Sequence, residues 1–162
     1  MTGSSGPPDP PVRTATLADV DELVRMRAAM MATLGDPDDG PWLAETAAYL
    51  RGALPAGTVA AWVADDPAAP GHLVACGVGV VMQRLPGPNT RDGRVGHIAS
   101  MMTEPAWRGR GLATAIVVGL LDWYRAAGVR RVFLHASRDG EPIYRGLGFA
   151  EGDHPELVLD LH

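Results

Sequence analysis

Apolar residues along this chain keep two spacings, one of helices and one of strands. Residues 12–16 read as a short strand, after which Thr16-Leu17-Ala18-Asp19 matches a capping box. Val20, Leu23, Val24, Met30, Met31 and Leu34 then follow helical spacing up to Gly35. Residues 35–40, Gly-Asp-Pro-Asp-Asp-Gly, form a turn, and Trp42, Leu43, Leu50 and Leu54 predict a second helix stopped by Pro55. Residues 58–64 and 72–83 predict two strands, antiparallel because only the turn at 65–71 joins them. A loop rich in Pro, Gly and Asn occupies 85–93.

The second half reads differently. A strand at about 95–103 runs through a tight loop into a long helix over about 110–127, striped by Leu112, Ile116, Leu120 and Trp123 and stopped by Gly128. Residues 131–136 contain Val-Phe-Leu, the unbroken apolar run expected of a strand buried on both faces. A short helix at 141–147 and a last strand at 157–161 follow. Strand, helix and strand over 95–136 make a right-handed βαβ unit, so the fold class is α/β with a mixed sheet. Residues 1–11, rich in Gly, Ser and Pro, read as a disordered lead-in without the basic or apolar stretch of a signal peptide or membrane anchor. Residues 12–162 read as one domain without internal repeats.

Composition narrows the chemistry. All 14 basic residues among the 162 are arginine, which excludes a Walker-type phosphate loop and any Schiff-base lysine enzyme. The one cysteine, Cys76, cannot close an intrachain disulfide or supply a CxxC zinc site, and the five histidines form no HExxH pair, so no metal is expected. A reducing, cytoplasmic compartment fits this cysteine usage. A net charge of −5 has the wrong sign for broad binding to nucleic acid and would better suit a cationic substrate.

The most informative stretch is Arg108-Gly109-Arg110-Gly111-Leu112-Ala113. Glycines at a strand-to-helix turn let backbone N–H groups approach a ligand and leave the helix N-terminus open, which makes an anion site. Two arginines there oppose the helix dipole, by about 0.3–1 kcal/mol each, unless an anion is bound. A dinucleotide fingerprint is excluded, because Thr114 stands where the third glycine would be.

These residues match the Arg/Gln-x-x-Gly-x-Gly/Ala pyrophosphate motif of the GNAT superfamily of acyl-CoA-dependent N-acyltransferases, and the approach Thr103-Glu-Pro-Ala-Trp-Arg108 is similar too. A second stretch, Ile143-Tyr144-Arg145-Gly146-Leu147-Gly148-Phe149, resembles the Leu-Tyr-x-x-x-Gly-Phe signature of that family. The resemblance covers residue 12 onward. It implies a single-domain, mostly antiparallel sheet flanked by helices, with a splayed parallel strand pair between which coenzyme A enters. It also implies that backbone groups of Met101, Met102 and Thr103 pair with the pantetheine arm. The amides of Arg108, Gly109, Arg110, Gly111, Leu112 and Ala113 would hold the pyrophosphate, and Tyr144 would face the sulfur. Acetyl-CoA is then the co-substrate.

Direct transfer to an amine needs a neutral amine, a polarised thioester carbonyl and a proton for the departing thiolate, but no nucleophilic residue. Tyr144 stays protonated at neutral pH and can give that proton. His97 precedes Met101 by four residues, so period-2 geometry puts both on one face, and its ordinary pKa suits a general base. Many family members carry a glutamate nearby, but Val95 occupies the matching position, so the base is left between His97, Glu104 and water. Ser137 either hydrogen-bonds Tyr144 or the pantetheine, or serves as a plain turn serine. For the acceptor, the loop carrying Asp36, Asp38 and Asp39, with Trp42 and His97, reads as a site for a small cationic amine, the acidic residues reading equally as a solvated turn that caps the next helix. Glu45, Tyr49 and Trp62 are further candidates near it, and the 85–94 loop is a candidate flap. A protein N-terminus or lysine as acceptor, and a non-catalytic CoA-binding module, remain as other readings. A homodimer is expected only from the usual symmetry of soluble oligomers.

Overall fold

The computed structural model describes residues 8–162. Residues 8–11 have no regular structure, and the rest of the expected disordered lead-in lies outside the described residues. Strands β1 (Val12–Thr14), β2 (Val59–Asp65), β3 (Leu73–Gln83), β4 (Arg94–Thr103) and β5 (Val132–Leu134) form one sheet in that order. Every pairing is antiparallel except β4 with β5. Helices α1 (Val20–Thr33) and α2 (Trp42–Ala56) precede β2, α3 (Leu112–Ala126) connects β4 to β5, and α4 (Glu141–Gly146) follows. Among the described residues no helix is long and apolar enough to cross a membrane.

Two apolar layers hold the sheet between the helices. On one face Val20, Leu23 and Met26 of α1 and Ala47, Leu50 and Ala53 of α2 pack against Ala61, Val63, Cys76 and Val78. On the other, Ile116, Val117, Leu120 and Tyr124 of α3 pack against Val74, Ala75 and Ile98. Tyr124 sits so close to the sheet that a Cβ at Gly96 would lie 2.6 Å from its ring. Its buried hydroxyl donates to the carbonyls of His97 (2.9 Å) and Val80 (3.2 Å), which ties α3 to β4 beside the fork described below. Cys76 is a core residue; burial pushes its thiol up to about 12, which removes it from chemistry at neutral pH.

The expected capping box closes the 3-10 turn Leu17–Asp19 that leads into α1, with the Thr16 N–H donating to Asp19 Oδ2 at 2.7 Å. Arg13 reaches the same carboxylate with two bonds of 2.8 Å and also binds Asp65 at 2.7 and 2.9 Å, fastening β1, the α1 start and the end of β2 together. Hydrogen bonds from Arg13 hold both carboxyls below their ordinary range. A depressed carboxyl contributes stability that is present above its unfolded pKa, near 4, and is lost as pH falls through the folded value. Asp19→Ala is expected to cost about 1–2 kcal/mol at pH 7, judged from charged hydrogen bonds and discounted for the partly exposed arginine. Denaturant melts from pH 7 down to pH 3 should show that gap to wild type closing.

Four expectations change. Pro55 lies inside α2, which runs one residue further and ends where Gly57 takes φ 75°. So near the C-terminus, glycine rather than proline sets the stop. β5 is shorter than expected and only half-buried, because it is the open edge of the sheet rather than an interior strand. Residues 157–161 form no strand, and Leu157, Val158, Leu159 and Leu161 are 80–90% exposed. Trp62 points to the α3 face, against Gly119, away from the acceptor-side candidates.

Candidate active site

β4 carries the site because its two edges are treated differently. Along β3 it pairs from Gln83–Arg94 to Ala75–Thr103, but along β5 it pairs only at Gly96, His97 and Ile98. Residues 99–103 therefore fork away from β5, and alternate backbone N–H and C=O groups face the gap. A linear molecule with amides can pair there as an added strand would.

One residue of β4 is extra. Val78 pairs with Ser100 and Gly79 with Ile98, which leaves Ala99 without a partner on β3, a β-bulge at the start of the fork. The Ala99 carbonyl is taken by Arg27 of α1, whose Nη1 donates to it at 3.1 Å. The bulge also inverts the faces. His97 pairs with Val80 and Met101 with Gly77, residues of opposite parity on β3, so His97 and Met101 lie on opposite faces. Period-2 counting fails across this one residue.

Beyond the fork the chain turns into α3 through two left-handed glycines, Gly109 (φ 73°) and Gly111 (φ 80°). A Cβ at either position would meet no atom within 4 Å, so the turn borders open space. The first turn of α3 holds no acidic residue and its N-terminus has no side-chain cap, which leaves its amides to a ligand. Arg108 Nε donates to the Thr103 carbonyl at 3.2 Å, bracing the turn. The Arg110 guanidinium lies 4.6 Å from the Trp107 ring and 3.4 Å from Asp9, so part of its charge is already answered. Leu112 is buried and anchors the helix start.

Tyr144, in the second turn of α4, packs edge-on against Phe149 at 5.9 Å on the margin of the α3 layer. Burial alone raises its phenol above the ordinary value, so it holds its proton through the neutral range. Ser137 Oγ accepts from the Gly140 N–H at 3.2 Å, a local bond that shapes the entry to α4. Glu104 is engaged by Arg25 (3.2 Å) and by His72 Nε2 (2.9 Å).

On the α1/α2 face a cavity of about 430 Å³ is lined by Arg27, Trp42, Glu45, Tyr49, Ala99 and Ser100, among others. Of the residues considered for the acceptor, Trp42, Glu45 and Tyr49 stand in this wall. Asp36, Asp38 and Asp39 are exposed in the preceding loop and do not line the cavity. His97, on the same face as Ser100, stacks on Phe133 at 4.7 Å and meets His135 edge-on at 5.9 Å. Burial, then the neighbouring His135, lowers its pKa, so its imidazole is neutral at pH 7 and able to accept a proton. The 85–93 loop is pinned by Gln83, whose amide donates to the Arg84 and Asp92 carbonyls.

Arg27 and Ser100 were missed from the sequence. A signal for Arg27 existed: it stands four residues after Leu23, on the core-facing side of α1, where an arginine is out of place unless it serves something. Burial without a carboxylate partner lowers its pKa from the usual arginine value.

A model of the Acetyltransferase (GNAT) family matches residues 20–149. A "predicted acetyltransferase" from Clostridium acetobutylicum, solved with acetyl-CoA, superposes with a TM-score of 0.83 at 26% identity, covering 93% of this chain and 95% of its own. In sequence, glucosamine 6-phosphate N-acetyltransferase of Trypanosoma brucei brucei is 38% identical over 73 residues, 44% of this chain and 49% of that protein. Glucosamine 6-phosphate N-acetyltransferase 1 of Oryza sativa subsp. japonica is 35% identical over 89 residues, 55% of this chain and 52% of that protein. The matches thus span about half the length of these relatives.

Proposed function

We propose, since the chain belongs to the acetyltransferase (GNAT) family, that it transfers the acetyl group of acetyl-CoA directly to the primary amine of a small molecule. One observation carries the reading. Ala99 and Ser100 belong both to the forked part of β4 and to the wall of the 430 Å³ cavity, so the donor gap and the acceptor cavity meet there.

The fork edge, over Met101, Met102 and Thr103, suits the amides of a pantetheine arm, and the amides of residues 108–113 suit a pyrophosphate. The open space at Gly109 and Gly111 supports this fit. When bound, acetyl-CoA supplies the activated thioester. In this reading Tyr144 holds the proton needed by a departing thiolate, and neutral His97 accepts the amine proton directly or through water. Glu104, with its carboxylate shared between Arg25 and His72, is the weaker candidate for base.

For the acceptor, the cavity offers one cation, Arg27, and one anion, Glu45, between Trp42 and Tyr49. This suits a small amine that also bears an anionic group, which is the description of glucosamine 6-phosphate, the acceptor named for the relatives in trypanosome and rice. A cavity of this size suits such a molecule better than a peptide or protein segment.

Thiol release from acetyl-CoA, followed across glucosamine 6-phosphate, other small amines and N-terminal or lysine peptides, tests the reading. Turnover should be confined to small amines. Tight CoA binding with no transfer to any amine would leave only a CoA-binding module. His97→Ala should remove the acidic limb of the kcat/KM profile, which in wild type lies below pH ~6.5 because the imidazole pKa is lowered. A profile identical to wild type would move the role of base to Glu104 or water.

A further inference from the structure

Between Ser100 and Thr103 the strand β4 is paired with β3 and has no partner on its β5 side, so a single backbone ladder sets its tilt. A second restraint reaches it from α1. Arg27 Nη1 donates to the Ala99 carbonyl where the fork opens (3.1 Å), and Arg25 Nη1 donates to Glu104, just past the last residue of β4 (3.2 Å). Arg25 is clamped in turn. Its Nε and Nη2 donate to the two carboxylate oxygens of Glu22 at 2.9 and 2.8 Å, and Nη2 also to the Leu73 carbonyl at 2.8 Å. Glu22 accepts the Leu73 N–H at 2.8 Å, which ties the same clamp to the start of β3. His72 Nε2 lies 2.9 Å from the Glu104 oxygen that Arg25 holds.

Glu104 stands where two parts of the donor site join. Met101, Met102 and Thr103 come before it, and its carbonyl accepts the Trp107 N–H at 2.9 Å to begin the turn toward Gly109 and Gly111. Its own N–H donates to the Val74 carbonyl at 2.8 Å. Its carboxylate does not line the acceptor cavity and already has two partners. We infer that Glu104 is a positioning residue, which with Arg25 fastens the unpaired half of β4 to α1 and so sets the edge and the turn that receive the thioester donor. Rigidity matters there, because an arm that binds by adding hydrogen bonds to a strand loses affinity when that strand must first be ordered. The inference rests on coenzyme A as the ligand of the fork, and it removes Glu104 from the candidates for base.

Calorimetric titration with CoA, at a temperature where circular dichroism shows every variant folded, tests it alongside single-turnover rates at saturating acetyl-CoA. Glu104→Leu and Arg25→Met should each raise the Kd for CoA about 10-fold, and the double variant should be no worse than about 20-fold, because both break one link. Glu104→Gln still accepts a bond from Arg25, so it should bind CoA within about 3-fold of wild type and turn over at the full rate with an unchanged pH profile. A base would behave otherwise. Glu104→Gln would then be as inactive as Glu104→Leu at saturating donor, with CoA affinity intact, and that result overturns the inference. Asp21→Asn is the control, since it breaks the 2.8 Å pair between α1 and Arg51 of α2 and touches no part of β4. Equal weakening in this variant, or wild-type affinity in Glu104→Leu and Arg25→Met, would also overturn it. Failure of wild type itself to bind CoA would instead overturn the acetyl-transfer reading, and the inference with it.

Discussion

Replacing Tyr144 with phenylalanine should lower kcat by about 10²- to 10³-fold while leaving CoA affinity within about 2-fold of wild type. The ring is what packs against Phe149, and phenylalanine keeps that ring, so the fold has little to lose. Only the hydroxyl goes. Because burial raises the phenol above its ordinary value, wild type keeps this proton across the neutral range, and the variant's deficit should be the same at pH 6.5 and pH 8.5. Single-turnover rates with CoA titrated separately make the measurement. A phenylalanine variant with full rate would hand the thiolate's proton to water and take Tyr144 out of the chemistry.

Gly111→Glu should abolish CoA binding, by more than about 10²-fold in Kd. Two causes act together. Gly111 sits at φ 80°, where any Cβ costs about 1–2 kcal/mol, and a carboxylate there meets the space in which a pyrophosphate would lie. Gly111→Ala separates them, since it carries the backbone strain without the charge and has open space for its methyl. Alanine should therefore lose some thermal stability but bind CoA within about 10-fold of wild type. Equal losses in the two variants would show that backbone conformation, and not an anion, is what this position serves.

Much of the frame was legible because it rests on local signals. The capping box at Thr16 and Asp19, the hairpin turn at 65–71 and the Gly-rich entry to α3 each declare themselves within a few residues. The left-handed glycines and uncapped start of α3 over 108–112 follow from the same local signals. What was not legible depends on partners distant in sequence. Nothing in residues 94–103 marks Ala99 as the extra residue, since the bulge exists only relative to β3. The Asp36, Asp38 and Asp39 loop attracts attention because charge is visible in a sequence and enclosure is not; the cavity on that face is lined by Arg27 and Glu45 on facing helices and not by these three. The apolar run at 157–161 alternates as a strand does but forms none, because a strand needs a neighbour and the run has no sheet partner among the described residues.

On the function proposed here, the bulge at Ala99 makes donor and acceptor recognition separable. Val78, Val80 and Ser100 share the cavity face of the sheet and Met101 lies on the other, so the first three can be altered to suit a new acceptor without moving Met101 or the glycines at α3. A library confined to the first set should diversify amine preference while every member still binds the same thioester. Deleting Ala99 would heal the bulge, since Ile98 and Ser100 already pair with consecutive residues of β3, and would take away the carbonyl that Arg27 holds while leaving every other side chain on its face.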